Sequence, residues 1–225
     1  EPLVADWVAA FGAEEATRLC LHGVQHPPVT IAVEPGLDRA ATAGMTWQPH
    51  EREGFVVWKG PHDAMLAFLA ADRRRRVQDP AAAAATNAAA DLRPRTILDY
   101  CAGRGTKTRQ LALMHPDAEV YATDPDEARM ADAADAAAGF ANITLLSPAE
   151  ALRRRVDLLL LDVPCSNTGV LARRPEAKYR YSARTLGDVI ALQREIIRRS
   201  LSALAPGGRV LYTTCSIDAR ENEAQ

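Results

Sequence analysis

The spacing of apolar residues changes its character near residue 77. Before that point, apolar positions from Ala5 to Gly23 follow helical spacing, and apolar runs at Val29 to Val33 and Gly54 to Lys59 are typical of short strands. A further apolar stretch, around Ala64 to Ala71, predicts another helix. We therefore expect residues 1–76 to form a small α+β lead-in module.

From about Gln78 the predicted elements alternate regularly between helix and strand. The helices are expected at Pro80 to Ala90, Lys107 to Met114, Asp126 to about Ala138, and about Thr185 to Leu204. The strands are expected at Thr96 to Asp99, Glu119 to Thr123, Ile143 to Leu146, Val156 to Val163, and Arg209 to Thr213. Such alternation predicts an α/β fold, a doubly wound and mostly parallel Rossmann-like sheet over residues 77–225, preceded by the lead-in module.

The composition is that of an ordinary soluble protein. The chain has 225 residues, 48% hydrophobic and 25% charged, enough for one large domain or somewhat more. Its longest dense aliphatic run, Leu158 to Leu161, is far shorter than the ~20 residues of a membrane span, and the start Glu1-Pro2 does not resemble a signal peptide. We expect a cytoplasmic, monomeric protein without membrane contact.

The charge distribution and the spacing of the cysteines limit the kinds of partner and metal site that the sequence predicts. The formal net charge of -2 and a pI near 6.3 do not indicate a nucleic-acid binder, but clustered arginines either contact phosphate or simply solvate the surface. The clusters are Arg73 to Arg76, Arg153 to Arg155, Arg173-Arg174 and Arg198-Arg199. Four cysteines without a C-x-x-C pair or a nearby histidine predict free thiols and no metal site. They are Cys20, Cys101, Cys165 and Cys215.

Several polar residues fall at the carboxyl ends of predicted strands, where ligands bind in doubly wound sheets. The first strand leads into a turn with Gly103 and Gly105, which either approaches a nucleotide-type ligand closely or is a plain strand-to-helix turn. Asp124 is suited to bind both ribose hydroxyls of an adenosine ligand. Asp124 or Asp126 also suits the N-cap of the next helix, and the two roles do not exclude each other. The residues expected to converge on one crevice are Asp99, Asp124, Asp162 and Cys215.

Cys165 and Cys215 each follow a predicted strand. A thiol in that position, beside an acid and small polar residues, is placed for nucleophilic chemistry on a bound ligand. The alternative is a pair of buried, inert thiols, since free cysteine is among the most buried residue types.

Three ordered motifs resemble the Sun/RsmB-type (NOL1/NOP2/Sun) family of S-adenosylmethionine-dependent RNA cytosine-5 methyltransferases. The family's D-x-C-A-A-P-G-G-K-T is matched by Asp99 to Thr108, its D-A-P-C-S-G-x-G by Asp162 to Gly169, and its T-C-S-x-x-x-x-E-N-E by Thr214 to Glu223. The resemblance covers residues 77–225 and, more loosely, the lead-in module, which becomes a candidate RNA-binding segment. It implies a methyltransferase sheet, S-adenosyl-L-methionine as cofactor, and ribosomal or transfer RNA as partner.

The resemblance also implies residue roles. Cytosine carbon 5 is too weak a nucleophile to take a methyl group from a sulfonium, but a thiolate added to carbon 6 turns the ring into an enamine that can. Cys215 corresponds to that nucleophile, Cys165 to a residue that assists release, and Asp162 to an acid at the polar edge of the cytosine. The implied cofactor-binding residues are Asp99, Cys101, Ala102, Gly103, Arg104, Gly105, Thr106, Lys107, Asp124, Pro125, Arg129 and Asp162.

Three positions depart from the family pattern. Thr106 and Asn167 stand where the family has glycine, and Leu146-Ser147-Pro148 where it usually has an acid near the adenine. These changes support a second hypothesis, a weakly active or inactive RNA-binding or assembly paralog. A third is a small-molecule or protein methyltransferase with incidental cysteines. Since sheets of this class normally continue with further strands, we expect the domain to extend beyond Gln225.

Overall fold

The computed structural model describes residues 1–34, 37 and 46–225. The first part of the chain combines helices with a small antiparallel sheet in the order β2-β3-β1-β4. Its elements are α1 (Pro2–Phe11), α2 (Ala13–Gly23), β1 (Val29–Ala32), β2 (Trp47–Pro49), β3 (Phe55–Trp58), α3 (His62–Ala70) and β4 (Arg76–Val77).

The small sheet packs its apolar residues against α3. Val56 and Trp58 are buried, and the rings of Trp58 and Phe68 lie 5.3 Å apart. The predicted single helix from Ala5 to Gly23 is wrong, because two helices meet at Gly12. This glycine has a φ of 85°, which side-chain-bearing residues rarely adopt, and so it ends α1.

The second part alternates helices and strands as the sequence pattern predicts. Its helices are α4 (Pro80–Asn87), α5 (Thr106–Met114), α6 (Glu127–Ala137), α7 (Pro148–Ala151), α8 (Ala177–Arg180) and α9 (Ala183–Ser200). Its strands are β5 (Thr96–Asp99), β6 (Glu119–Ala122), β7 (Ile143–Leu145), β8 (Val156–Asp162) and β9 (Leu204–Thr213). All these strands are parallel, in the order β7-β6-β5-β8-β9. The predicted α/β fold class is therefore confirmed.

The centre of the parallel sheet is apolar on both faces. Leu158 and Leu160 of β8 join the cluster around Ile97, whereas Leu159 and Leu161 join the cluster on the opposite face. Successive side chains of a strand point to opposite faces, so a strand covered on both sides needs a continuous apolar run. These leucines are at most 1% exposed, and their burial holds the following strand end, Asp162, in place.

β9 is longer than the sequence predicts. It begins at Leu204 rather than Arg209, so Pro206-Gly207-Gly208, expected before the strand, lies within it. The pairing with β8 shifts register near its start, and α9 ends at Ser200, before its predicted end. The elements β2, β4, α7 and α8 are absent from the sequence prediction because segments of two to four residues carry no readable period.

The N-terminal helices pack against the second part of the chain. Trp7 of α1 and Ala16 of α2 share one buried cluster with Leu171 and Leu186, which flank α8. The lead-in module is thereby in contact with the segment that follows β8. Within the described ranges, no helix is both long and apolar enough to cross a membrane.

Candidate active site

The turn after β5 is built on two glycines with positive φ. Gly103 has a φ of 54° and Gly105, which precedes α5, a φ of 77°. A Cβ on Gly103 would meet no atom within 4 Å, so the turn borders open space. Thr106 is the first residue of α5 and does not have a positive φ, so this threonine introduces no backbone strain.

Asp99, the last residue of β5, is fully buried. Its Oδ2 accepts a hydrogen bond of 2.7 Å from the hydroxyl of Thr108, whereas its Oδ1 has no partner among the described residues. Burial raises the pKa of Asp99 to about 7, and the nearby Asp162 adds to this effect. A buried carboxylate oxygen without a partner is a position where a donor group of a ligand fits.

Asp124 follows β6 and supports the glycine turn. Its Oδ2 accepts a hydrogen bond of 3.0 Å from the backbone N–H of Gly103, and its Oδ1 accepts one of 3.0 Å from that of Asp126. The capping residue of α6 is Asp126, whose carboxylate accepts from the N–H of Arg129. Of the two residues expected as caps, Asp126 is therefore the one that caps α6, and the contact of Asp124 with a ribose stays a prediction.

The other predicted cofactor residues are divided between the turn and the surface. Ala102 is buried in the turn, and Cys101 is partly buried there, with a pKa raised chiefly by that burial. Arg104 instead forms an exposed ion pair of 3.1 Å with α6. Pro125 and Arg129 lie exposed at the start of the same helix. The side-chain contacts of these three surface residues do not direct them toward the crevice.

Asp162, the last residue of β8, forms an ion pair with Lys107 of α5. Lys107 Nζ lies 2.6 Å from Asp162 Oδ2, and Asp162 Oδ1 accepts a hydrogen bond of 2.8 Å from the hydroxyl of Thr213, at the end of β9. The lysine is 16% exposed and the aspartate 34%, so the pair remains open to a ligand. The ion pair and the hydrogen bond link α5 to β8 and β9, the two strands that precede the cysteine loops.

The loops after β8 and β9 bring the two predicted thiols into contact. The Sγ atoms of Cys165 and Cys215 lie 2.8 Å apart, and both cysteines are free. Cys215 also donates a hydrogen bond of 3.2 Å to Asn167 Oδ1, and the Asn167 amide donates one of 2.8 Å to the carbonyl of Cys165. Among the described residues, Asn167 is the only one other than glycine with a positive φ, at 61°.

The two thiols differ in acidity. The contact with the Cys215 thiol lowers the pKa of Cys165, and the backbone N–H groups of Asn167 and Cys215 lower it further, against the effect of burial. The same thiol–thiol contact, together with burial, raises the pKa of Cys215. The first proton lost by the pair therefore leaves Cys165, while Cys215 keeps its own.

Glu221 joins the two cysteine loops. This residue is fully buried, and its Oε1 accepts hydrogen bonds from the Ser166 N–H at 2.8 Å and the Gln193 amide at 2.9 Å. Its Oε2 accepts from the hydroxyls of Ser166 and Ser216, the latter at 2.5 Å. Since these serines directly follow Cys165 and Cys215, one carboxylate fixes the spacing of the thiols.

Gly169 allows the two loops to approach closely. Its N–H donates a hydrogen bond of 3.0 Å to the carbonyl oxygen of Cys215. A Cβ at this position would lie 2.8 Å from that oxygen, closer than real contacts of this kind. The second loop therefore leaves room only for glycine.

The structure brings Asp162, Cys165 and Cys215 together, as their positions at strand ends predict. Sequence reasoning treated Asn167 as an unfavourable replacement and gave Glu221 no role. Glu221 carries a signal, because it opens the E-N-E segment of the third motif, but its burial follows from packing alone. Within the described ranges no group of side chains is arranged to hold a metal ion.

The chain is similar in sequence to a family of RNA-modifying enzymes. The family described as 16S rRNA methyltransferase RsmB/F matches residues 89–225. The ribosomal RNA small subunit methyltransferase B of Salmonella arizonae is 33% identical over 227 residues, covering 89% of this chain and 50% of the relative. The protein of the same name from Vibrio cholerae is 32% identical, covering 81% and 44%. The chain thus spans about half the length of the curated relatives it matches.

Solved structures share the fold, including that of the lead-in module. The crystal structure of PH0851 has a TM-score of 0.83 at 27% identity, covering 97% of this chain and 54% of that one. The crystal structure of NSun6 from Pyrococcus horikoshii with SFG, an S-adenosylmethionine analogue, has a TM-score of 0.80 and covers 100% of this chain and 85% of its own. Its identity of 16% limits the second likeness to the fold.

Proposed function

Since the chain belongs to the RsmB/F family of S-adenosylmethionine-dependent rRNA methyltransferases, we propose that it methylates carbon 5 of a cytosine in RNA through a covalent cysteine–cytosine intermediate. The observation that carries this proposal is the 2.8 Å contact between Cys165 and Cys215, next to the ion pair of Asp162 with Lys107. Methyl transfer to an oxygen or an amine needs no thiol, whereas carbon 5 of cytosine must first be activated by one. The RNA is ribosomal or transfer RNA, and the names of the relatives favour ribosomal RNA.

The residues around the glycine turn fit S-adenosylmethionine. Open space borders Gly103, and the buried Asp99 offers a carboxylate oxygen that has no partner among the described residues. Asp99 and Asp124 would hold donor groups of this cofactor, with the turn against it. When bound, the cofactor supplies a methyl group on a positively charged sulfur.

Cys215 starts the reaction by adding to carbon 6 of the cytosine. Its proton passes across the 2.8 Å contact to Cys165, whose lowered pKa favours the thiolate form that accepts it. The new carbon–sulfur bond moves the electrons of the ring double bond to carbon 5. Carbon 5 then has the electron density to accept the methyl group.

Cys165 completes the reaction. After transfer, carbon 5 carries both the new methyl group and its original proton. Once Cys165 has released its first proton to solvent, its thiolate removes this second one. The electrons of the broken C–H bond restore the ring double bond and expel the sulfur of Cys215, which leaves the 5-methylcytosine free.

Asp162 and Lys107 orient the ring and stabilise its charge. The carboxylate of Asp162, held between Lys107 and Thr213, contacts the polar edge of the cytosine. The ammonium group of Lys107 offsets the negative charge that develops on the ring as Cys215 adds. Both groups are already fixed before the base enters, so little reorganisation is required.

The hypothesis of an inactive RNA-binding paralog loses much of its basis. It depended on three departures, and the two replaced glycines cause no backbone strain, since Thr106 lies in helical conformation and Asn167 adopts the left-handed conformation required at its position. The third departure, Leu146-Ser147-Pro148, remains. A cofactor dissociation constant in the ordinary micromolar range would exclude it. The hypothesis of a small-molecule or protein methyltransferase has no support from the family.

The test is methyl transfer from labelled S-adenosylmethionine to unmodified ribosomal and transfer RNA, with the product nucleoside identified by mass spectrometry. Cys215→Ala should abolish transfer, and Cys165→Ala should accumulate a protein–RNA adduct that survives denaturation. Cys20→Ala is the matched control, since this free cysteine lies on α2, outside the site, and activity should persist. A product other than 5-methylcytosine, or equal activity of the two site variants, would contradict the proposal.

A further inference from the structure

A cavity of about 280 Å³ lies beside the thiol pair. Its lining includes Cys165 and Asn167 as well as Arg174, Glu176 and Arg180. Its volume falls just below the roughly 300–1,000 Å³ of pockets for drug-sized ligands, so it suits one small unit such as a single nucleotide. No residue of the glycine turn belongs to its described lining, which separates it from the cofactor crevice.

The cavity carries an excess of positive charge. Arg174 and Arg180 face a single carboxylate, Glu176, which lies 3.8 Å from Arg174 in an exposed and therefore weak ion pair. Arg180 forms no ion pair within the described ranges. By contrast, the neighbouring Arg173 is held by Asp79 at 2.9 Å. The segment after β8 thus has one arginine held by Asp79, one in a weak exposed ion pair, and one, Arg180, without an ion pair among the described residues.

An exposed aromatic ring stands next to this cavity. Tyr179 lies in α8 between Lys178 and Arg180, and it is 80% exposed, more than any other large hydrophobic side chain of the described residues. The ammonium group of Lys178 lies 5.0 Å from the centre of the ring. Proteins that bind single-stranded nucleic acid stack bases on exposed rings of this kind, among cationic side chains.

We propose that the cavity and the ring of Tyr179 form a subsite for a nucleotide adjacent to the target cytosine in single-stranded RNA. Arg174 and Arg180 bind its phosphate, and Tyr179 stacks its base. This inference rests on the proposed RNA substrate and specifies how the strand is held. Anchoring the neighbouring nucleotide keeps the backbone in place while the target base turns out of its stack toward Cys215.

The test compares RNA affinity in the full-length protein and its variants. The probe is a short single-stranded RNA with one cytosine, titrated at several salt concentrations. The double variant Arg174→Ala/Arg180→Ala should reduce the slope of log affinity against log salt by about one, because both arginines bind a single phosphate and each phosphate contact contributes about one. Tyr179→Ala should weaken binding by about five-fold to 150-fold and raise KM for RNA, and Tyr179→Phe should restore both.

Two controls separate this subsite from general effects. Arg198→Ala removes an exposed arginine of α9 outside the cavity and should leave the salt slope unchanged. The cofactor dissociation constant, measured without RNA, should be the same in every variant. A wild-type salt slope in the double variant, or wild-type affinity in Tyr179→Ala, would overturn the subsite. Failure of the proposed function is distinct, since it would show as no methyl transfer by the wild-type protein.

Discussion

Asn167 combines a special backbone conformation with an amide that binds the Cys215 thiol and the backbone carbonyl of Cys165. The position requires a left-handed residue, and asparagine adopts that conformation more readily than most residues other than glycine. Replacing a family glycine therefore preserves the loop. Because its Oδ1 accepts a hydrogen bond from Cys215, the side chain favours the protonated form of that thiol.

Two substitutions of Asn167 should therefore shift the pKa of Cys215 in opposite directions. Asn167→Gly keeps the backbone but removes the acceptor, so the pKa of Cys215 should fall. Asn167→Asp places a negative charge beside the thiol and should raise it. The measurement is the pH dependence of Cys215 alkylation, followed by mass spectrometry. Shifts of the same sign in the two variants would contradict this role.

Asp99 makes the stability of the protein depend on pH. Burial raises its pKa to about 7, so between about pH 4 and pH 7 the folded protein keeps a proton that the unfolded chain releases. The free energy of unfolding should therefore fall as pH rises through this window, and level off above it. Asp99→Asn removes the effect, so its unfolding midpoint should rise relative to wild type from pH 4 to pH 7. The exposed Asp117→Asn is the charge control, and a difference independent of pH would refute the expectation.

At the scale of elements, the site depends on two loops that follow adjacent parallel strands. β8 and β9 set the direction of the loops, and Glu221 joins Ser166 in one loop to Ser216 in the other. The carboxylate accepts four hydrogen bonds in a place without solvent. The thiol spacing is thus a property of this contact as well as of the sheet.

Removal of this carboxylate should affect both stability and catalysis. Glu221→Ala leaves buried donors of Ser166, Ser216 and Gln193 without an acceptor, which we expect to cost about 3 kcal/mol or more of the free energy of unfolding. Methyl transfer should fall further than the loss of folded protein accounts for, because the cysteines lose their fixed spacing. Chemical denaturation and single-turnover transfer measure the two effects. Glu223→Ala, at an exposed position, should change neither, and wild-type transfer by folded Glu221→Ala would contradict the role.

The sequence predicts the parallel sheet well and the boundaries between elements poorly. Apolar runs that end at Asp99 and Asp162 mark buried strands, because only burial on both faces demands such runs. The break at Gly12 is hidden, since helical spacing continues across it. Pro206 favours a turn, but β9 runs through it as an irregularity between the pairs Val156–Leu204 and Leu158–Arg209. The donors around Glu221 come from distant segments, so no local pattern encodes them.

At the scale of the whole molecule, the lead-in module shares a buried contact, through α1, with the segment that follows β8 and with α9. Trp7 is 5% exposed and packs with Leu171 and Leu186. Trp7→Ala should therefore lower the free energy of unfolding of the entire protein by about 3–5 kcal/mol, in one transition. Urea unfolding followed by circular dichroism and by loss of cofactor binding measures this. Phe11→Ala, at a 44% exposed position on the same helix, should have a small effect, and two separate transitions would contradict the shared contact.

The strand order also determines when each strand can pair while the polypeptide is being synthesised. β5 is central in the sheet, and it pairs with β6, which is synthesised soon after it, and with β8, which is synthesised much later. Until Leu158 to Leu161 have been translated, one edge of β5 exposes unpaired backbone groups, a hazard for aggregation. The nascent chain is therefore most vulnerable between translation of Asp99 and that of Asp162.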